Sequence, residues 1–368
     1  MLTDSNFKLS DEQSELQGSL RRLLSDKVTS EYRRSRLVTA GQSDILPDSD
    51  LWQSLIDLGL FEYFAAQAER DSTGKIGEGP GIREVTLMAR ECGRALLPEN
   101  LSDSLLALAV LAQAGFESAE PKLWQALVSG TVRVGLVPAS FANAQNLQFN
   151  QAVNKVSGQL VAISAPQNVC AVLYASSESD SVLLIDLSDP NTALRESQTA
   201  LDLTRPHCDI NLNGAGYKVV ADCSARAMHH YEQLVVASEI CGAASQAFEM
   251  TLDYAKTRKQ FDQPIAAFQA VQHKLADCYL ALEAMQASAN FGAWSADHSP
   301  EQLVIAAQSA IAFACSEGPK LIETAVQLHG GIGFTWEYDL HLYLRRVRTL
   351  AALYLPTDAD VNEMLAAI

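Results

Sequence analysis

Three long stretches of helical periodicity fill the chain after residue 223: residues 230–256, 268–294 and 302–328. The first repeats Leu234, Ala237, Ile240, Cys241, Ala244, Phe248 and Leu252 at helical spacing. Alanine-rich helices of this length bury their apolar stripes against one another, so the region predicts a helix bundle. Pro264 interrupts the first pair, and Gly330–Gly331 stops the third within AVQLHGGIGFTWEYDLHLYLRR. Glycine costs a helix roughly 1 kcal/mol relative to Ala. Its presence here has two readings: the usual helix C-cap, or a backbone laid open so that a ligand can approach closely.

The rest of the chain changes character twice. Residues 1–125 read as helical. Ser10 and Gln13 have capping-box spacing, and Leu16, Leu20, Leu23 and Leu24 follow on one face. Asp50 is placed to cap a second helix that runs out near Gly59, and helical patterns resume over 83–97 and 101–111. Residues 126–222 are different: VRVGLV, QLVAIS, NVCAVLYAS and SVLLIDL are short, β-branched runs. Asp189-Pro190 and Asn213-Gly214 read as turns between about eight strands at most. The expected fold is α+β: an N-terminal helical domain (1–125), a middle β-barrel or sandwich-like domain (126–222) and a C-terminal four-helix bundle (223–368).

Composition narrows the function. The 368 residues, 48% hydrophobic and 19% charged, can bury a large core. A formal net charge of −17 argues against nucleic acid as a partner. There is no apolar run long enough for a transmembrane helix, and MLTDSNFKLSDEQ does not read as a signal peptide. Seven scattered cysteines without a CxxC pair fit reduced thiols in the cytoplasm. The histidines show no zinc-ligand spacing, so no metal is expected. STGKIGEGPG (72–81) lacks phosphate-loop spacing and reads as a surface loop.

Two blocks carry a resemblance. TRKQFDQPIAAFQAVQHKLAD (257–277) and, at the right separation, QLHGGIGF (327–334) resemble the acyl-CoA dehydrogenase family. The helical–β–helical order fits as well. The resemblance implies that Arg258 meets the pyrophosphate of FAD across a subunit interface, a role suited to the guanidinium fork. It gives Phe261 an apolar face toward the flavin, and Gln269 and Gln327 the polar atoms of the adenosine half. Gly330 and Gly331 would offer bare backbone N–H groups to an anion. Taken singly, Arg258 is also a surface helix end, Phe261 ordinary core and Gln269 a solvated face.

The other half of the family's FAD site is missing. The middle domain has no Thr-Glu-Pro-x-x-Gly-Ser loop in VPASFANAQNLQFNQ (137–151). In GQLVAISAPQN (158–168), Ile163 and Ser164 survive, but Ala162 stands where Trp is usual. The base is disturbed too. Tyr354, in LYLPTD, sits where many members carry the catalytic Glu. A subset carries it near the start of the first bundle helix, and the family's spacing back from Arg258 lands on Glu232, with Gln233 replacing the usual Arg. Glu232 is therefore the candidate base; it is equally a helix N-terminal Glu favoured by the macrodipole. Glu239 reads as structural.

The resemblance thus implies the degenerate subunit of a heteromeric acyl-CoA dehydrogenase. This chain would supply the cross-interface half of an FAD site shared with an FAD-complete partner in an α2β2 heterotetramer. The reaction would introduce a Cα–Cβ double bond into a CoA thioester in lipid or steroid catabolism, passing electrons to an electron-transfer flavoprotein or similar acceptor. Two alternatives stay open: a self-sufficient homo-oligomer (dimer or tetramer) using Glu232, and a non-catalytic scaffold. Arg258, Gln327 and the glycine pair argue against a scaffold, because packing alone does not require them.

Overall fold

The computed structural model describes residues 8–37, 49–66, 80–138, 146–164, 169–176, 178–198, 201–205 and 207–367. The loop at 72–79 and parts of the region expected to have lost the flavin loop (139–145 and 165–168) lie outside the described residues.

The capping box at Ser10 opens α1 (Asp11–Lys27): Gln13 N donates to Ser10 Oγ at 3.1 Å, and Ser10 N to Gln13 Oε1 at 3.0 Å. Then come α2 (Ser30–Ser35), α3 (Ser49–Ile56) and α4 (Leu60–Ala65). The helix expected to be capped by Asp50 begins at Ser49, so Asp50 lies in its first turn. Gly59, at φ +77°, separates α3 from α4 rather than ending a single helix. Next are α5 (Ile82–Ala95), α6 (Leu101–Gln113), α7 (Phe116–Ala119) and α8 (Pro121–Val128).

The β region holds β1 (Arg133–Leu136), β2 (Gln148–Asn150), β3 (Lys155–Ser164), β4 (Val169–Ser176), β5 (Ser181–Asp186), β6 (Ala193–Gln198) and β7 (His207–Val220). Strand order is β1-β4-β5-β7-β3-β2, with β6 also on β7. β1 pairs β4 in parallel and the other pairs are antiparallel. Asp189 makes the expected turn, accepting from Asn191 N at 2.9 Å. Asn213-Gly214 does not: both lie inside β7. The reason is topological. β7 pairs β5 through Tyr217–Val220 but β3 and β6 nearer its start, and Gly214, at φ +69°, bends the strand between the two pairings.

The last third follows the expected helices closely: α9 (Ala225–Thr257), α10 (Gln269–His298), α11 (Leu303–His329), α12 (Leu340–Tyr354) and α13 (Asp358–Ala366). A hairpin of β8 (Lys259–Gln260) and β9 (Gln263–Pro264) joins α9 to α10. α9 is buried on every side over Glu232–Ser245, the pattern of a central helix. Gly93 of α5 and Gly242 of α9 make their crossing close: a Cβ on Gly242 would lie 1.8 Å from the Arg90 carbonyl oxygen. α10 fastens the same layer, since Asp297 accepts from Ile82 N and Arg83 N at 2.9 Å each and caps α5. The amino-terminal helices and the bundle therefore share one apolar core, while Val156, Leu160, Ile163, Val172, Ile185 and Ile210 form a second one within the sheet.

Candidate functional site

Two places collect the predicted residues, and they lie at opposite ends of α9. At its carboxyl end the chain turns out into solvent. Arg258 caps the helix, its N–H donating to Tyr254 O at 2.8 Å. Its guanidinium is exposed and makes no ion pair or hydrogen bond among the described residues. Phe261 and Asp262 form the tip of the β8–β9 hairpin, at φ +53° and +64°. Two positive φ values are the type I′ pattern, usually filled by Asn-Gly. A phenylalanine there is strained, and this one is 88% exposed. Gln269, also exposed, opens α10.

The glycine pair is joined to this hairpin by an aromatic clamp. The Tyr254 ring, one turn before Arg258, stacks on His329 at 4.3 Å, and Tyr338 packs on the same imidazole at 5.0 Å. His329 Nδ1 donates to Ala325 O at 2.8 Å, and burial lowers its pKa, which favours the neutral ring. Gly330 follows at φ +63° as the C-cap of α11, so the capping reading holds. The backbone beyond the cap is also open. Gly330 and Gly331 are exposed, and a Cβ added to either would meet nothing within 4 Å. Gln327 is exposed in the last turn of α11. Phe334 and Trp336, 69% and 58% exposed, stand just beyond.

Glu232 lies elsewhere. From Glu232 to Arg258 the helix runs about 39 Å at 1.5 Å per residue. That is longer than an extended dinucleotide, so one bound group does not bridge the two. Glu232 is 3% exposed and accepts a hydrogen bond from Tyr354 Oη at 2.7 Å. The two positions at which the family resemblance would seat a base thus touch. Burial, then the neighbouring Glu232, pushes Tyr354 well above its ordinary pKa, so it stays a neutral donor. Asp103, Ser164, Arg205, His207 and Glu239 line the same cavity of about 30 Å³. Burial lifts Asp103 to about 7 and drops His207 to about 4. Ser164 Oγ and His207 Nδ1 are buried there without a hydrogen-bond partner among the described residues.

The floor of this cavity is a charge network that the sequence reading missed, apart from Glu239. Arg346 of α12, 1% exposed, donates to Glu239 Oε1 at 2.8 Å, Thr204 Oγ1 at 2.7 Å and Leu97 O at 3.3 Å, and pairs with Asp202. Arg205 reaches Glu239 Oε1 at 2.9 Å and Leu97 O at 3.4 Å. Burial opposes the ionised form of Glu239, but Arg205 and Arg346 outweigh it and hold the carboxyl below its ordinary range. One signal for Arg346 was available: in LHLYLRRVRTLAALY it falls on the face of Leu342, Tyr343 and Leu350, where an apolar residue belongs.

Among the described residues, no group of three or more His, Cys, Asp or Glu could hold a metal ion, and no helix is long and apolar enough to cross a membrane. No two of the seven cysteines form a disulfide.

Residues 224–353 match the model of the acyl-CoA dehydrogenase C-terminal domain. The chain is 30% identical over 341 residues to the acyl-CoA dehydrogenase IpdE2 of Mycobacterium tuberculosis, covering 91% of each chain. Its fold matches a variant of the Tcur3481–Tcur3483 steroid ACAD with a TM-score of 0.80 at 24% identity, over 97% of both chains. It matches a chain of the ChsE4–ChsE5 complex from Mycobacterium tuberculosis with a TM-score of 0.79 at 22% identity, over 98% of both.

Removing one partner of a buried ion pair costs about 3–5 kcal/mol, because the remaining charge is left uncompensated. Glu239→Gln is therefore expected to lower unfolding stability by about that amount. A urea midpoint close to wild type would show that the network is not what joins these layers.

Proposed function

The chain belongs to the acyl-CoA dehydrogenase family, oxidoreductases acting on the CH–CH bond of acyl-CoA thioesters, and on that premise we propose that it is one subunit of a heteromer. It supplies the cross-interface half of an FAD site whose other half belongs to an FAD-complete partner subunit. One observation carries this reading: the Arg258 surface is exposed, unpaired among the described residues and about 39 Å along α9 from the chain's own cavity.

The residues there fit the cofactor. Arg258 would meet the pyrophosphate with a free guanidinium, and the bare N–H groups of Gly330 and Gly331 would add donors. Phe261 would lie on the flavin, and Gln269 and Gln327 would bond the adenosine half. Bound FAD supplies the hydride acceptor for Cα–Cβ desaturation; this chain's part is to hold and exclude water. Two fold neighbours are described as a steroid ACAD variant and as the ChsE4–ChsE5 complex, which supports a two-chain assembly and a bulky CoA thioester of steroid or lipid breakdown as substrate. An electron-transfer flavoprotein or similar acceptor would reoxidise the flavin. Seven cysteines without a disulfide support a cytoplasmic setting.

The Tyr354–Glu232 hydrogen bond favours a second reading, a self-sufficient homo-oligomer with Glu232 as base, because it would orient an ionised carboxylate. The cavity of about 30 Å³ weighs against it. A pure scaffold is disfavoured, since a strained exposed phenylalanine and an unpaired arginine serve no packing.

Expressed alone, the chain is expected to purify with far less than one FAD per chain, and with its partner to carry about one per heterodimer, read from flavin absorbance. A yellow stoichiometric homo-oligomer would sink the heteromer. In the complex, Arg258→Ala removes a charge-assisted contact worth about 1.5–3 kcal/mol, so FAD affinity should fall about tenfold or more. Thermal stability of the apo chain should hardly change; unaltered flavin retention would take Arg258 out of the site. Glu232→Gln should leave turnover of a CoA thioester within a factor of about three, whereas a loss of about a hundredfold with intact flavin would move the base onto this chain.

A further inference from the structure

The chain's own flavin-ring and acyl site does not fit either occupant. On the family reading it lies against Ser164 and Glu232, yet the cavity there is about 30 Å³. Ligand cavities run to roughly 300–1,000 Å³, and this volume holds about one water. Against the candidate base lies Tyr354, the last residue of α12, whose hydroxyl sits 2.7 Å from Glu232 Oε1.

The segment beyond Tyr354 is unusual for a helix of a folded core. In α13 the buried residue is Asp360, a carboxylate, while Val361 and Leu365 are 42% and 61% exposed. Apolar burial contributes little to holding α13, and its polar contacts fall mostly on the first turns of α9, beside Glu232. Asp360 Oδ1 lies 2.7 Å from His229 Nε2 and 3.5 Å from Gln233 Nε2. Glu363 lies 3.1 Å from Arg226 Nε, 3.5 Å from His230 Nε2 and 3.2 Å from Gln308 Nε2. The linker between plug and fastening is short and stiff. Pro356 restricts it, and Thr357 N and Oγ1 donate to Asp360 Oδ2 at 2.7 and 2.8 Å in a capping box.

We propose that residues 354–366 form a strap that keeps this chain's own acyl and flavin-ring site shut, with Tyr354 as the plug on Glu232 and α13 as its fastening. The proposal rests on the family reading, which assigns that cavity. A helix held by a few polar contacts and almost no apolar burial opens at a lower free energy than the core around it. The closed state is therefore conditional on Asp360 and Glu363. Closure leaves the complex one working flavin site per heterodimer and denies bulk water and acyl thioester access to Glu232.

The test reads access to Glu232 directly, in the full-length complex, by carbodiimide labelling of its carboxylate followed by peptide mass spectrometry. In wild type Glu232 should be protected. Asp360→Asn combined with Glu363→Gln removes the charge-assisted contacts and should speed labelling of Glu232 about tenfold or more, with amide exchange rising in residues 354–366 but not in α11. Tyr354→Ala should expose Glu232 in the same way with the fastening intact, and Tyr354→Phe, which keeps the plug, should stay close to wild type. Equal labelling in wild type and both opening variants would overturn the strap. Flavin content of the same samples separates the two ideas. A second FAD per heterodimer would overturn the heteromer and the closure together, whereas unprotected Glu232 with one FAD would overturn the closure alone.

Discussion

Arg346 is a guanidinium with 1% of its surface in water, and its position decides how the rest of the molecule can be arranged. Burying such a charge is costly unless every donor is met and the charge is balanced. Here four contacts come from three directions: Glu239 on α9, Asp202 and Thr204 before β7, and the Leu97 carbonyl after α5. Arg205 brings a second positive charge onto Glu239, and Asp202 a second negative one, so two arginines face two carboxylates. A shift of the sheet, the bundle or the amino-terminal helices would leave one of these ions alone. The network acts as a register between layers that apolar packing would only press together, since the sheet keeps a core of its own.

Its influence reaches the cavity above it. Arg346 lies in the middle of α12 and Tyr354 two turns on, so fixing the arginine also fixes where the tyrosine arrives. Glu239 and Glu232 are two turns apart on α9, and the same helix pair carries both contacts. The far end of α9 has no such constraint. The Tyr254–His329–Tyr338 stack holds two helix ends together, and the Arg258 guanidinium that projects beside them has no ion pair or hydrogen bond among the described residues. One helix thus connects an end where two buried arginines and two buried carboxylates are paired internally with an end where the Arg258 guanidinium is exposed and makes no ion pair or hydrogen bond among the described residues.

Much of this was legible in the sequence, because period and punctuation are local signals. The three long bundle helices matched to within a few residues, as did the Ser10–Gln13 box, since a capping box is written in four consecutive positions. Asn213-Gly214 misled because a turn dipeptide also serves as a bend in a strand that changes partners, and partner choice is not local. The buried network was out of reach for the same reason: Asp202 and Arg205 are distant in sequence from Glu239 and Arg346, and only the misplaced charge on the apolar face of α12 hinted at one member. Family motifs pointed to Arg258, which the fold leaves exposed, yet that Tyr354 and Glu232 touch could come only from the fold.

The hairpin tip at Phe261–Asp262 sets stability and service against each other. Both residues hold left-handed backbone that Asn-Gly would adopt at less cost, by about 1 kcal/mol for relief of this kind of strain. A selection for yield, solubility or melting temperature applied to this chain by itself would drift toward that dipeptide and register each step as an improvement. The aromatic ring it discarded makes a 6.2 Å edge contact with Phe268 and otherwise faces solvent, so no assay of the single chain would record the loss. On the heteromer proposal, what offsets the cost of a phenylalanine at this exposed turn lies outside the molecule that carries it.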